Sequence, residues 1–183
     1  MSGIRWDIGW GALLALSFAY FFDDTGLFAA CIPAIAVHEL GHAAALMYFG
    51  ARIRKVSIRI YGAKIDYSGI LGSRERAISL AAGPAAGAIY SAAAYMMPGS
   101  FGKLSAMAGA VMTVFNALPI LPLDGGQILA CIVDRSKAKK VSALFSVFLF
   151  AASLWMLNRY CTAAPLAVSA GLLAINIMPD VRT

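Results

Sequence analysis

The tightest constraint on this 183-residue chain is a succession of apolar runs, several approaching the length of a bilayer-spanning helix. Hydrophobic residues make up 61% of it and charged residues only 13%, about half the share of an ordinary soluble domain. A run of ~20 apolar residues crosses the hydrocarbon core as a helix. Inside lipid only helices and closed barrels can pair every backbone N–H and C=O. The expectation is therefore an all-α polytopic membrane protein with about six transmembrane helices. The spans read as roughly Ile8–Phe22, Leu27–Phe49, Ala77–Met97, Leu104–Leu123, Val141–Leu157 and Thr162–Met178. The first run has no basic region ahead of it beyond Arg5 and no small-residue cleavage site, so a removable signal peptide is not expected.

The net charge of +6 is a topology signal. With those spans, thirteen of the fifteen basic residues fall on one side, Lys103 and Arg159 being the exceptions. The richer side is expected to be cytoplasmic, with both termini inside and Asp23 and Asp24 in the first external loop. The basic residues flank spans rather than form one face, so no nucleic-acid partner is expected. Cys31, Cys131 and Cys161 lack paired-ligand spacing and read as small buried thiols.

Between the second and third spans, Val56, Ile58 and Ile60 alternate with Ser57, Arg59 and Tyr61, and Lys64-Ile65-Asp66-Tyr67 continues the pattern after Gly62. That alternation predicts a membrane-surface β-hairpin over Arg52–Tyr67 with its turn near Gly62. Its edge could pair with an extended peptide, most simply near Ile58. The Gly83-Pro84-Ala85-Ala86-Gly87 stretch reads as a surface for close helix packing.

Both histidines of the chain lie in His38-Glu39-Leu40-Gly41-His42, inside an uncharged apolar run. Ionisable groups at bilayer depth are costly and mark functional sites. Residues four apart share a helix face, so His38 and His42 can present two imidazoles to one zinc ion. Glu39, offset by about 100°, stays near the metal and free to act as general base. Zinc needs a third protein ligand besides a water. With histidine exhausted, Asp124 is the best remaining donor. It closes Asn116-Ala117-Leu118-Pro119-Ile120-Leu121-Pro122-Leu123-Asp124-Gly125-Gly126, a stretch too rich in proline and glycine for a regular helix.

His38-Glu39-Leu40-Gly41-His42 together with Asn116-x-x-Pro119-x-x-Pro122-Leu123-Asp124-Gly125 resembles the site-2 protease family of intramembrane zinc metalloproteases. The second motif and short length most resemble its bacterial branch that includes the sporulation stage IV factor FB proteases. The resemblance runs from about Pro33 to Ile128, Gly83-Pro84 included. It implies one Zn²⁺ held by His38, His42 and Asp124, with water activated by Glu39. It also implies a substrate groove lined by Asn116, Pro119 and Pro122. The expected activity is hydrolysis of a peptide bond in or near a transmembrane segment, as in regulated intramembrane proteolysis. The partners would be a transmembrane protein substrate and the bilayer, with a regulatory membrane protein or a second copy of the chain left open. The membrane would be a bacterial plasma membrane, the active site lying toward the cytoplasmic side. One intramembrane protease domain over 1–183 is expected, with a core of about 27–128 and additional helices over about 141–178. No PDZ insertion or CBS domain is seen, so regulation by either is not expected. The competing readings are a non-catalytic zinc-binding membrane scaffold, which has no need of Glu39, and a small metal transporter. The latter would want polar ligands along the last two spans, where no acidic residue or histidine occurs.

Overall fold

The computed structural model describes residues 4–21, 23–59, 62–160 and 164–177. Residues 60 and 61, next to the hairpin turn expected near Gly62, and Cys161 lie outside them. Two compact units are present, Met1–Phe115 and Asn116–Thr183. Their boundary falls inside the stretch expected to be the catalytic core.

In the first unit β1 (Arg5–Ile8) leads into α1 (Trp10–Phe21) and α2 (Leu27–Tyr48). Strands β2 (Arg52–Arg59) and β3 (Gly62–Ser68) follow, then α3 (Ser73–Tyr95) and α4 (Ser100–Asn116). The second unit holds α5 (Asp124–Ile132), α6 (Arg135–Tyr160) and α7 (Ala164–Ile177). Among the described residues α2, α3 and α6 are long and apolar enough to cross a membrane. Helix α1, with 12 residues, is about 18 Å long and begins at Trp10, the first residue of the expected span, Ile8, being the last of β1.

Burial is inverted relative to a soluble core. Ala30, Ala34, Gly83, Gly87, Ala94 and Ser105 are buried in the first unit, whereas Leu40, Ile89, Val111, Val114 and Phe148 face outward. Large side chains outside and small ones between helices is the pattern of packing in lipid, where backbones gain by approaching closely. Ser105 Oγ joins three helices, donating to the Ala30 carbonyl of α2 at 2.7 Å and meeting the Tyr90 hydroxyl of α3 at 2.6 Å.

Both ends of α2 are capped by local chemistry. Desolvation alone would raise the Asp23 carboxyl, but the Thr25 hydroxyl and the amides of Phe28, Ala29 and Leu27 outweigh it and hold the group below its ordinary value. Three otherwise orphaned first-turn amides are thereby satisfied. At the other end Gly50, at φ +82°, donates to the Met47 carbonyl while Ala51 donates to that of Leu46. This Schellman arrangement turns the chain directly into β2.

Strands β2 and β3 pair antiparallel, with an irregularity between Ile53 and Lys55. The unexpected element is β1, which pairs parallel to β2 and places Arg5 opposite Lys55 and Ile8 opposite Ile58. Because the order is β1-β2-β3, Ile58 is covered on both sides, by Ile8 and by Ala63. The expectation of peptide pairing near Ile58 is therefore corrected: the open edges among the described residues belong to β1 and β3.

Candidate metal centre

Helix α2 carries His38 and His42 one turn apart. Their Nε2 atoms face each other at 3.1 Å, and the ring planes are 84° apart with centroids 4.8 Å from one another. Two nitrogens held tetrahedrally at ~2.0–2.1 Å from one zinc stand about 3.3 Å apart. The observed pair fits that donor spacing to within a few tenths of an ångström. His38 is only 3% exposed, and Glu39 beside it is half-buried.

Helix α3 sets the orientation of His42. Its Nδ1 lies 2.8 Å from the Ser79 carbonyl, which can only accept, so Nδ1 carries a hydrogen and the neutral ring would present its lone pair at Nε2. A carbonyl on the far nitrogen is the usual way a ligating imidazole is locked in tautomer and rotation. Ser79 lies just before the part of α3 disturbed by Pro84, which has no amide to offer the Leu80 carbonyl.

Glycines make the close approach of α2 and α3 possible. A Cβ on Gly83 would stand 2.1 Å from His42 Nε2 and 2.3 Å from its Cε1. The missing side chain is thus the space the imidazole occupies. A Cβ on Gly41 would meet the Ala82 carbonyl oxygen at 2.6 Å and the Ala86 methyl at 2.7 Å. One on Gly87 would meet Thr113 Oγ1 at 2.6 Å but reach His38 Nδ1 only at 3.7 Å. Close packing along 83–87 is therefore accompanied by a more specific role, since Gly83 leaves the space that the His42 ring occupies. Two buried hydroxyls, Ser79 Oγ and Thr113 Oγ1, make no hydrogen bond among the described residues.

In the second unit Asp124 opens α5 and is buried. Asn116 ends α4, and the chain between them is irregular. The Leu121–Pro122 peptide is cis. Ile120 donates to the Leu118 carbonyl and Leu123 to that of Ile120, each at 2.8 Å. The side-chain amide of Gln127 reaches the Pro122 carbonyl at 3.0 Å. A Cβ on Gly125 would collide with the backbone of Ala117 and Leu118, and one on Gly126 with that of Ile120 and Leu121. The double glycine lets α5 begin directly on this stretch, so the position of Asp124 follows that of residues 117–121.

The sequence profile of Peptidase family M50 matches residues 91–157, the part of the chain that contains Asn116 through Asp124. No curated protein sequence matches. Among solved structures, the site-2 protease from Methanocaldococcus jannaschii superposes with a TM-score of 0.68 at 20% identity, covering 100% of this chain and 95% of that one. The chain has the site-2 protease fold.

Proposed function

We propose that this protein is an intramembrane zinc metalloprotease that hydrolyses a peptide bond in or near a transmembrane segment of a membrane-protein substrate. The observation that carries the reading is the facing imidazole pair, His38 buried and His42 half-buried, on a membrane-length helix with Glu39 beside it. The M50 match and the shared fold support the same class. His38, His42 and Asp124 would hold one zinc ion: two neutral imidazole nitrogens and a carboxylate are the donor set of an open catalytic site, with a position left for water. Zinc when bound lowers the pKa of water toward neutrality and polarises a carbonyl.

The chain supplies the remaining chemistry. Glu39 takes a proton from water as its oxygen attacks the scissile carbonyl carbon, then delivers that proton to the departing amine nitrogen as the C–N bond breaks. The Asn116 side-chain amide donates to the developing oxyanion. Pro119 and Pro122, which lack amides that would compete for the substrate backbone, line the groove. A substrate helix must unwind before its carbonyl can be attacked, because helical carbonyls are already hydrogen-bonded. The outer edge of β1 or β3 offers replacement partners for the unwound strand.

The placement we favour is six crossings, both termini cytoplasmic and the site toward that face of a bacterial plasma membrane. Pairing of Arg5–Ile8 with Lys55–Ile58 supports one part of it, since it holds the chain before α1 and after α2 at a common sheet. The motif pair favours the bacterial branch named above.

The test is reconstitution in liposomes with a panel of single-span helices, with and without Gly, Asn or Pro near the inner boundary. Cleavage by the wild type, lost on chelation, restored by zinc and lost in a zinc-retaining Glu39→Gln variant is the expected outcome. Zinc bound with no cleavage of any helix would instead identify a non-catalytic scaffold.

A further inference from the structure

Leu121 lies in the irregular stretch between α4 and α5, where no helix or strand pairs its backbone. An unpaired amide or carbonyl at membrane depth costs several kcal/mol. Both of its polar groups are taken up by side chains from two later helices. The Leu121 amide donates to Ser142 Oγ of α6 at 2.6 Å, and its carbonyl accepts from Asn176 Nδ2 of α7 at 2.7 Å. Ser142 Oγ in turn donates to Asn176 Oδ1. The same Asn176 Nδ2 also reaches the Leu172 carbonyl at 2.8 Å and Ser146 Oγ at 3.3 Å. The Ser142 hydroxyl both donates and accepts, and the two N–H groups of Asn176 are both used. Ser142 and Ser146, one turn apart on α6, are both 0% exposed.

Ordinary serines in these helices behave differently. Ser153 bonds back to Leu149 and Ser169 to Leu166, each within its own helix. The Ser142–Asn176 group instead reaches out of its helices to the loop, and the Leu121 amide it holds belongs to the Ile120–Leu121 peptide against which Gly126 of α5 packs.

We infer that Asn176, with Ser142 and Ser146, is a positioning device that holds the Leu121 peptide in place and through it the start of α5 and Asp124. A sequence reading that notes only the lack of acidic residues and histidines in the last two spans misses it. Its bearing on zinc rests on Asp124 being a ligand, as proposed above; its bearing on the loop does not.

The experiment uses the full chain in lipid nanodiscs, with Asn176→Ala and Ser142→Ala against Ser153→Ala and Ser169→Ala. In zinc-free protein, hydrogen exchange across residues 118–127 should quicken at least tenfold in the first two variants and stay at the wild-type rate in the controls. Ser142→Thr, which keeps a hydroxyl, should restore protection. Zinc dissociation constants should rise by about ten- to a hundredfold in the same two variants, as for other partners that orient ligands. Wild-type exchange and zinc affinity in Asn176→Ala and Ser142→Ala would overturn the inference, and so would equal loosening by Ser153→Ala. A wild type that binds no zinc would overturn the metal reading, and exchange alone would then decide the device.

Discussion

A single methyl group at position 83 should separate metal binding from stability. The Cβ of Gly83→Ala would fall 2.1 Å from His42 Nε2, about 1.4 Å inside an ordinary ~3.5 Å contact. The ring must swing away, taking Nε2 with it and lengthening the 2.8 Å contact from Nδ1 to the Ser79 carbonyl. Misplacing a reacting group by ~1 Å costs on the order of a hundredfold, and zinc affinity should fall at least that far. Stability should change much less. Replacing glycine by alanine in a helix gains up to ~1 kcal/mol, against an overpacking cost of ~1–3 kcal/mol. Gly41→Ala provides the contrast, because its methyl strikes the Ala82 carbonyl oxygen and the Ala86 methyl rather than the ring. It should force α2 and α3 apart and lower thermal stability more than Gly83→Ala. Gly87→Ala, which meets a rotatable Thr113 hydroxyl, should be mild on both counts. The assay is isothermal zinc titration beside thermal unfolding in one detergent. Wild-type zinc affinity in Gly83→Ala, or parallel losses of affinity and stability in Gly83→Ala and Gly41→Ala, would refute the reasoning.

Three further outcomes are expected. Glu39→Gln should reduce cleavage of a transmembrane substrate by about 10²–10⁴-fold while zinc content by atomic absorption stays at the wild-type level. Asp23 should stabilise the protein only while ionised. Its pKa is held below the ordinary 3.8, so the contribution is complete above that value and is lost as pH falls through the folded-state pKa. Melting curves of Asp23→Asn should therefore lie below wild type at neutral pH and converge with it in acid; a gap that is independent of pH would contradict this. Ile58→Pro should disorder the sheet, read by amide exchange over 52–68, since both neighbours of that residue are occupied. A variant with a wild-type sheet and slow cleavage would show that β2 does have an open edge.

How far the chain could be read without coordinates depended on whether the signal was local. The His38-Glu39-x-x-His42 helix was legible because four-residue spacing and an apolar background are properties of consecutive residues. The antiparallel β2–β3 pairing was legible from the alternation on both sides of Gly62. Strand β1 was not: four residues carry almost no pattern, and a parallel partner some fifty positions away is invisible to periodicity. That omission made β2 look like an edge and lengthened the first apolar run. The fourth span was drawn through to Leu123, although Pro119 and Pro122 end regular structure near Asn116. The role of Gly83 depends on which ring it faces across the helix pair. Asn176 passed unnoticed because one amide in an apolar helix means little until its partner, the Leu121 carbonyl, is known.

The central claim is one zinc held by two imidazoles and a carboxylate in a membrane helix bundle. X-ray absorption at the zinc edge of the purified, detergent-solubilised protein tests it most directly, with Asp124→Ala alongside. One zinc per chain with two histidine nitrogens at ~2.0–2.1 Å and oxygen ligands at ~2.0–2.2 Å, largely lost in Asp124→Ala, is the predicted result. A wild type that takes up no zinc after reconstitution, or whose zinc shows no histidine scattering, would contradict it. Zinc retained with an unchanged spectrum in Asp124→Ala would remove Asp124 from the ligand set.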